Sequence, residues 1–199
     1  MKLYYAKGAC SFSCDVLFRE AGLTLELERV DLKEHKTETG MDYLQINPKG
    51  YVPALKIDSG EILTEALVVL SYIADQAPQS NLMPQSGIER YRAFEWLGFI
   101  GTELHKTTGP FHMQSATAEE KEVAKQKLLK RAGYMDTMLE GKEYLLGNVF
   151  TAPDAYAFAI LRWFPGFGID ISTMKNVTAY VGRIQARPHV QEAFTFEGL

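Results

Sequence analysis

The two cysteines of this 199-residue chain, Cys10 and Cys14, carry the most reactive chemistry it has. Their CxxxC spacing is neither the CxxC of a redox pair nor half of a zinc site, and two cysteines cannot build a disulfide framework. They differ in surroundings. Cys10 follows a short strand-like run, Lys2-Leu3-Tyr4-Tyr5, and a Gly8 turn, and it precedes a helical pattern over 11–21. At a helix start the free N–H groups and the positive dipole end favour an anion, so a thiolate at Cys10 is stabilised and its pKa drawn below the usual ~8.5. Ser11 and Ser13 add hydroxyl donors. The plain alternative is a small buried hydrophobe, which is the reading for Cys14 one turn further in.

Three further places could hold or activate a ligand. The run NPKGYVPAL at 47–55 is a loop that enters a strand through Val52-Pro53. Only about 5–6% of X-Pro bonds are cis, so these residues alone leave the isomer open. Glu65-Ala66 opens a helix whose N–H groups could hold a carboxylate while the Glu65 side chain accepts an ammonium; otherwise Glu65 is an acid that complements the dipole. His105 and Lys106 end a helical stretch before Thr107-Thr108-Gly109-Pro110, where cations suit the negative dipole end whether or not they take part in chemistry. A metal held by His105 and His112 is disfavoured, because Gly109-Pro110 interrupts the helix that would align them, and no metal is expected.

The elements that must position these residues divide the chain. Over 1–77 the pattern is mixed. After the first strand and helix, with Gly22 as the stop, LELERV at 25–30 alternates as a half-buried strand does. A strand, helix and strand make a βαβ unit, parallel and right-handed in nearly all cases. ALKI and EIL flank Asp58-Ser59-Gly60 as a hairpin, and Thr64 is placed to cap a helix from Glu65. The segment 78–87, within QAPQSNLMPQSG, is rich in Pro, Ser, Gln and Gly and reads as a linker. From 88 to 199 no convincing strand appears. Apolar residues cover more than one face over 88–104, and Thr117-Ala118-Glu119-Glu120 and Thr151-Ala152-Pro153-Asp154 match the capping box ahead of two further helices.

Composition excludes several classes. Hydrophobic residues at 46% and charged residues at 23% are near globular averages, which argues against disorder. No run approaches the ~18 apolar residues of a membrane span, and the N-terminus lacks an apolar signal core, so a cytoplasmic protein with no membrane partner is expected. With Lys+Arg 21 against Asp+Glu 25, and the basic residues scattered, nucleic acid is not an expected partner.

Taken together and in order, Tyr5 and Cys10 in the first strand and turn, NPKGYVPAL, LTEALVVLSYIAD at 63–75, ELHK at 103–106 and FTAPDAYAF at 150–158 resemble a cytosolic glutathione transferase. Cys10 with ELHK resembles the bacterial beta class. The resemblance covers essentially the whole chain. It implies an α/β plus all-α protein: an N-terminal thioredoxin-like βαβ-ββα domain that binds glutathione, then an all-helical C-terminal domain. It also implies a homodimer that conjugates the glutathione thiolate to small hydrophobic electrophiles, in detoxification, with no cofactor beyond glutathione as co-substrate.

The resemblance also implies roles for individual residues. Val52 precedes a cis-proline, Pro53, and its backbone pairs with the cysteinyl part of glutathione. Glu65 and Ala66 hold the γ-glutamyl end. Cys10 lies next to the glutathione sulfur and can form a mixed disulfide with it, with Tyr5 and Ser11 alongside. His105 and Lys106 match a pair on the sulfur side, one of them a cation that favours the thiolate, and Phe111, His112, Met113 and Phe167 are candidates for the electrophile pocket. Thr151 and Asp154 match a structural capping box. Three positions depart from the family pattern: Ala66 lacks a hydroxyl common there, Tyr51 replaces a Gln or Lys, and His35 stands where a Lys often approaches the glycyl carboxylate. These imply modest glutathione affinity. Two alternatives remain open, a glutathione-dependent thiol oxidoreductase acting through Cys10 and a non-catalytic glutathione- or ligand-binding protein of the same fold.

Overall fold

A computed structural model of the chain describes residues 1–199, which form two compact units, Met1–Gln85 with Arg187–Leu199 and Ser86–Ala186. In the first unit, β1 (Lys2–Tyr5), α1 (Phe12–Glu20) and β2 (Glu26–Asp31) form the expected βαβ unit, with β1 and β2 parallel and Leu3 opposite Leu27. The helix stops where Gly22 adopts φ +65°, a left-handed conformation that an L side chain resists. β4 (Ala54–Lys56) and β5 (Ile62–Thr64) are the hairpin, and β4 lies antiparallel to β1. A two-residue strand that the residue pattern does not announce, β3 (Lys36–Thr37), extends the edge, giving the order β3-β2-β1-β4-β5.

Two local details differ from expectation. Thr64, read as the cap of the next helix, instead ends β5, and Glu65 takes the cap position before α2 (Ala66–Gln76). In β2 the alternation slips. Glu28 is buried beside Val30, where Lys2 Nζ (2.8 Å) and Thr39 Oγ1 (2.5 Å) donate to its carboxylate. Burial alone would raise the Glu28 pKa, but Lys2, Thr39 and Thr37 together hold it below the ordinary carboxylate range.

The last helix, α8 (Pro188–Glu197 in the chain's numbering), also packs in this unit. The rings of Phe12 and Phe194 lie 4.9 Å apart, and Arg187 makes a two-pronged pair with Glu20, each bond 2.7 Å. The segment 88–199, read as one helical domain, is thus divided in the fold, with Arg187–Leu199 grouped with the sheet. Nothing local to those residues signals it, because the apolar face of α8 does not say which partner covers it.

The second unit is helical throughout. It runs from α3 (Gly87–Phe99) through a π-helical segment, Ile100–His105, and a 3-10 turn, Lys106–Thr108, into the short α4 (Gly109–His112). Pro110 does not break the path as expected, because it sits in the first turn of α4, where no N–H is required. Then follow α5 (Ala118–Met138), α6 (Ala152–Leu161) and α7 (Lys175–Gln185). Both capping boxes form as read. Every residue of α6 is buried, so it is the central helix of this unit.

Candidate active site

In the first unit, Cys10 lies in the turn that leads into α1 and is buried, and its Sγ donates to the carbonyl of Val52 at 3.4 Å. The neighbouring hydroxyls are committed elsewhere. Ser11 Oγ bridges the backbone of Ala6, accepting from its N–H at 3.3 Å and donating to its carbonyl at 3.4 Å, while Ser13 Oγ donates to the Cys10 carbonyl at 2.7 Å. This corrects the reading of Ser11 and Ser13 as donors to the sulfur: their hydroxyls brace the turn. Cys14 is fully buried, and burial pushes its thiol pKa well up, so it stays protonated.

The loop before β4 is pinned from beneath. The carbonyl of Tyr51 accepts from Tyr43 Oη (2.9 Å) and Asn47 Nδ2 (2.7 Å), and the Val52-Pro53 peptide that follows is cis. Tyr51 then reaches Glu65, its Oη donating to Oε1 at 2.6 Å. Lys49 Nζ donates to the same oxygen at 2.6 Å and to Thr64 Oγ1 at 3.0 Å. These two partners, Lys49 first, hold the Glu65 pKa below the ordinary carboxylate range. Glu65 itself has φ 69° and ψ 119°, a conformation that costs a non-glycine residue about 1–3 kcal/mol and persists only where the surroundings impose it. Its carboxylate stands at the N-terminal end of α2 beside the backbone of Ala66, which is buried and offers no polar side-chain group.

His35 joins the same loop. Its φ is 50°, its Nδ1 is buried without a hydrogen-bond partner, and a side chain at Gly50 (φ +74°) would press within 3.0 Å of its Cε1. Tyr5 is buried with its ring 5.9 Å from that of Phe196, and burial raises its pKa, so it remains a phenol at neutral pH. Cys10, Val52, Pro53, Tyr51, Glu65, Ala66, Tyr5, Ser11 and His35 thus all belong to one compact unit. Sequence reasoning missed Lys49, although it stands in the quoted NPKG run, because nothing local ties it to a carboxylate sixteen positions on.

In the helical unit, His105 closes the π-helical segment and Lys106, exposed, begins the turn after it. Burial, with lesser contributions from His112 and Lys106, pushes the His105 pKa down to about 4. At neutral pH His105 is thus a neutral imidazole, which leaves Lys106 as the cation expected of the pair. Its Nδ1 lies 2.8 Å from Tyr156 Oη. Around it Phe111 stacks on Phe167 (4.5 Å, 15°), and His112 meets the edges of Trp163 (5.1 Å) and Phe167 (5.2 Å). Three of the four candidate pocket residues are therefore gathered, while Met113 is turned outward at 56% exposure. Trp163, which contacts both His105 and His112, was missed; the aromatic run Trp163-Phe164 after the apolar helix was the available signal.

In the first unit, a cysteine at a helix start and a carboxylate held charged at a second helix start suit thiol chemistry on a zwitterionic ligand. Comparison with known proteins agrees. Residues 9–76 match the family model described as glutathione S-transferase, N-terminal domain, and residues 99–188 match that for the C-terminal domain. Glutathione S-transferase GstA of Escherichia coli O157:H7 is 38% identical over 200 residues, spanning all of both chains. The chain belongs to the glutathione S-transferase family and is a transferase. Within that family it is similar to the bacterial beta class enzyme of Sphingomonas chungbukensis, at 42% identity and a TM-score of 0.96 over both whole chains. A sphingomonad glutathione S-transferase in complex with glutathione is 40% identical, with a TM-score of 0.97 and full coverage of both.

Proposed function

We propose that the first unit binds glutathione and that the enzyme conjugates its sulfur to small hydrophobic electrophiles, with thiol-disulfide exchange at Cys10 as a second activity. The observation that carries this reading is Glu65: a strained residue whose carboxylate, kept charged by Lys49 and Tyr51, stands at a helix N-terminus. A strained backbone at such a point is a reason to expect function there. The γ-glutamyl group supplies the complement, an ammonium for Glu65 and a carboxylate for the first N–H groups of α2, beginning at Ala66. Val52 and Pro53 lead the backbone past the ligand's cysteinyl part, Tyr51 braces Glu65 at the γ-glutamyl end, and His35 borders the glycyl end. The glutathione complex of a relative 40% identical supports the same ligand.

The chemistry follows from the thiolate. Glutathione's thiol loses its proton to solvent, the thiolate sulfur attacks an electrophilic carbon, a C–S bond forms, and a halide or similar group leaves with the bonding pair. In the first unit the N–H groups at the start of α1 favour the anion; within the helical unit Lys106 supplies a cation, His105 a neutral donor, and Phe111, His112, Trp163 and Phe167 suit a flat apolar substrate. In the exchange reaction the Cys10 thiolate attacks the glutathionyl sulfur of a mixed disulfide and expels the substrate thiolate. A second glutathione thiolate then releases Cys10. No further cofactor is required. Two free thiols suit a reducing cytoplasm.

Calorimetry tests the ligand. Glu65→Ala is expected to weaken glutathione binding more than His35→Ala, because Glu65 supplies the carboxylate placed to pair with the ammonium. Equal affinity of Glu65→Ala and the unmodified protein would remove Glu65 from the site.

We also propose a homodimer with the partner seated on α3 and α5. These helices border a groove of about 790 Å³ lined by Trp96, Phe99, Tyr134 and Met138, and α3 leaves Ile88 and Tyr91 exposed at 64% and 69%. Light scattering is expected to give twice the 22.4 kDa chain mass, and a monomer at micromolar concentration refutes the assignment.

A further inference from the structure

We infer that Tyr156 is a positioning residue for His105: its hydroxyl holds the imidazole in the Nε2–H tautomer, so that the ring presents a hydrogen-bond donor to an anion in the transferase reaction. The inference rests on the reading of His105 as a site residue and goes beyond it, since it assigns which nitrogen acts and what sets it.

Tyr156 belongs to α6, the helix whose every residue is buried, and is itself 4% exposed, so its hydroxyl is a fixed point. It reaches over Gly101, one turn before His105, and lies 2.8 Å from Nδ1. The ring of His105 is held on two more sides, meeting Tyr156 edge-on at 5.8 Å and 85° and Trp163 at 5.5 Å and 57°. One hydrogen bond and two ring contacts leave the half-buried imidazole a single orientation. The π-helical segment Ile100–His105 supports the same reading, because an extra residue in one turn re-aims the side chain at its end, and such turns are frequent at functional sites.

The proton's place follows from acid–base chemistry. His105 is neutral near pH 7, so one nitrogen carries a proton and the other a lone pair. A phenol is the better donor and an imidazole nitrogen the better acceptor, so the bond runs from Tyr156 O–H to Nδ1 and the ring proton lies on Nε2. An uncharged donor of this kind stabilises a thiolate or a departing anion by a hydrogen bond without giving up its proton to it, which an imidazolium would do.

The test uses the full-length protein labelled with 15N-histidine, together with steady-state conjugation of an aryl halide. In the unmodified enzyme, long-range proton–nitrogen spectra should show His105 protonated at Nε2 and bare at Nδ1. Tyr156→Phe should give a mixture of tautomers and lower kcat about ten-fold, less than the ~100-fold or more of losing a donor outright, with KM for glutathione unchanged. His105→Gln, whose amide nitrogen falls near Nε2, should retain more kcat than His105→Asn, whose amide falls near Nδ1. This pair keeps the idea falsifiable if Tyr156→Phe fails to fold. An Nδ1–H signal in the unmodified enzyme, an unchanged spectrum or kcat in Tyr156→Phe, or a better Asn than Gln overturns the inference. If the unmodified enzyme binds glutathione and conjugates normally in those same assays, the functional reading stands while the positioning role falls. An unmodified protein that neither binds nor conjugates removes both.

Discussion

Cys10→Ala is expected to abolish thiol-disulfide exchange, by roughly a thousand-fold or more, while conjugation of an aryl halide remains measurable. The asymmetry follows from which sulfur attacks. In the proposed exchange reaction Cys10 would be the nucleophile that forms the mixed disulfide; in conjugation glutathione brings its own sulfur. The same contrast appears in the unmodified protein. Oxidised glutathione should add one tripeptide at Cys10 and none at Cys14, whose thiol is fully buried and held protonated. Intact-mass and peptide mapping check this, and an adduct on Cys14 would overturn it. Loss of both activities in Cys10→Ala would instead make Cys10 part of the conjugation machinery.

Asp154→Ala is expected to lower the melting temperature by roughly 10 °C, at about 3 kcal/mol or more. A capping residue alone is worth about 0.5–2 kcal/mol. Asp154 does more than cap, since its Oδ2 accepts from the Thr151 N–H (2.8 Å) and hydroxyl (2.7 Å), and its Oδ1 from the Leu145 N–H and the Tyr180 hydroxyl, both at 2.9 Å. Truncation strands four buried donors at once. Burial raises the Asp154 pKa, and the four donors offset that rise in part. Asp154→Asn should fall between, as its amide serves some of these donors and opposes others. Thermal melts decide; unchanged stability with lost glutathione binding would move Asp154 into the ligand site.

What could be read from the residues was what is local. The βαβ unit, the Asp58-Ser59-Gly60 hairpin, the stop at Gly22 and the boxes at Thr117 and Thr151 each rest on groups within a few positions of one another. The features that were not legible depend on distant partners. Glu28 is buried because Lys2 and Thr39 come to it, and Lys49 finds Glu65 only when the 47–53 loop closes on the start of α2. The left-handed backbone of Glu65 has no signature, since the residue type argues against it. Their place at a helix end leaves open which of His105 and Lys106 is the cation, because the charge of His105 is decided by burial against aromatic rings from α6 and the turn beyond. Ser11 and Ser13 were read by their hydroxyls, and those hydroxyls turned back onto the chain.

The grouping of Arg187–Leu199 with the sheet makes the helical unit, in topological terms, an insertion between two pieces of the other. Synthesis proceeds from the N-terminus, yet the Phe194 ring that lies against Phe12 and the Arg187 that pairs with Glu20 are made only after the helical unit. The sheet-bearing unit therefore cannot complete itself as it leaves the ribosome. It must wait, with part of the surface of α1 uncovered, until the whole intervening helical unit has been translated. A stop codon placed just before residue 187 would leave the strands and the cysteine turn intact on paper, and would deprive α1 of its cover.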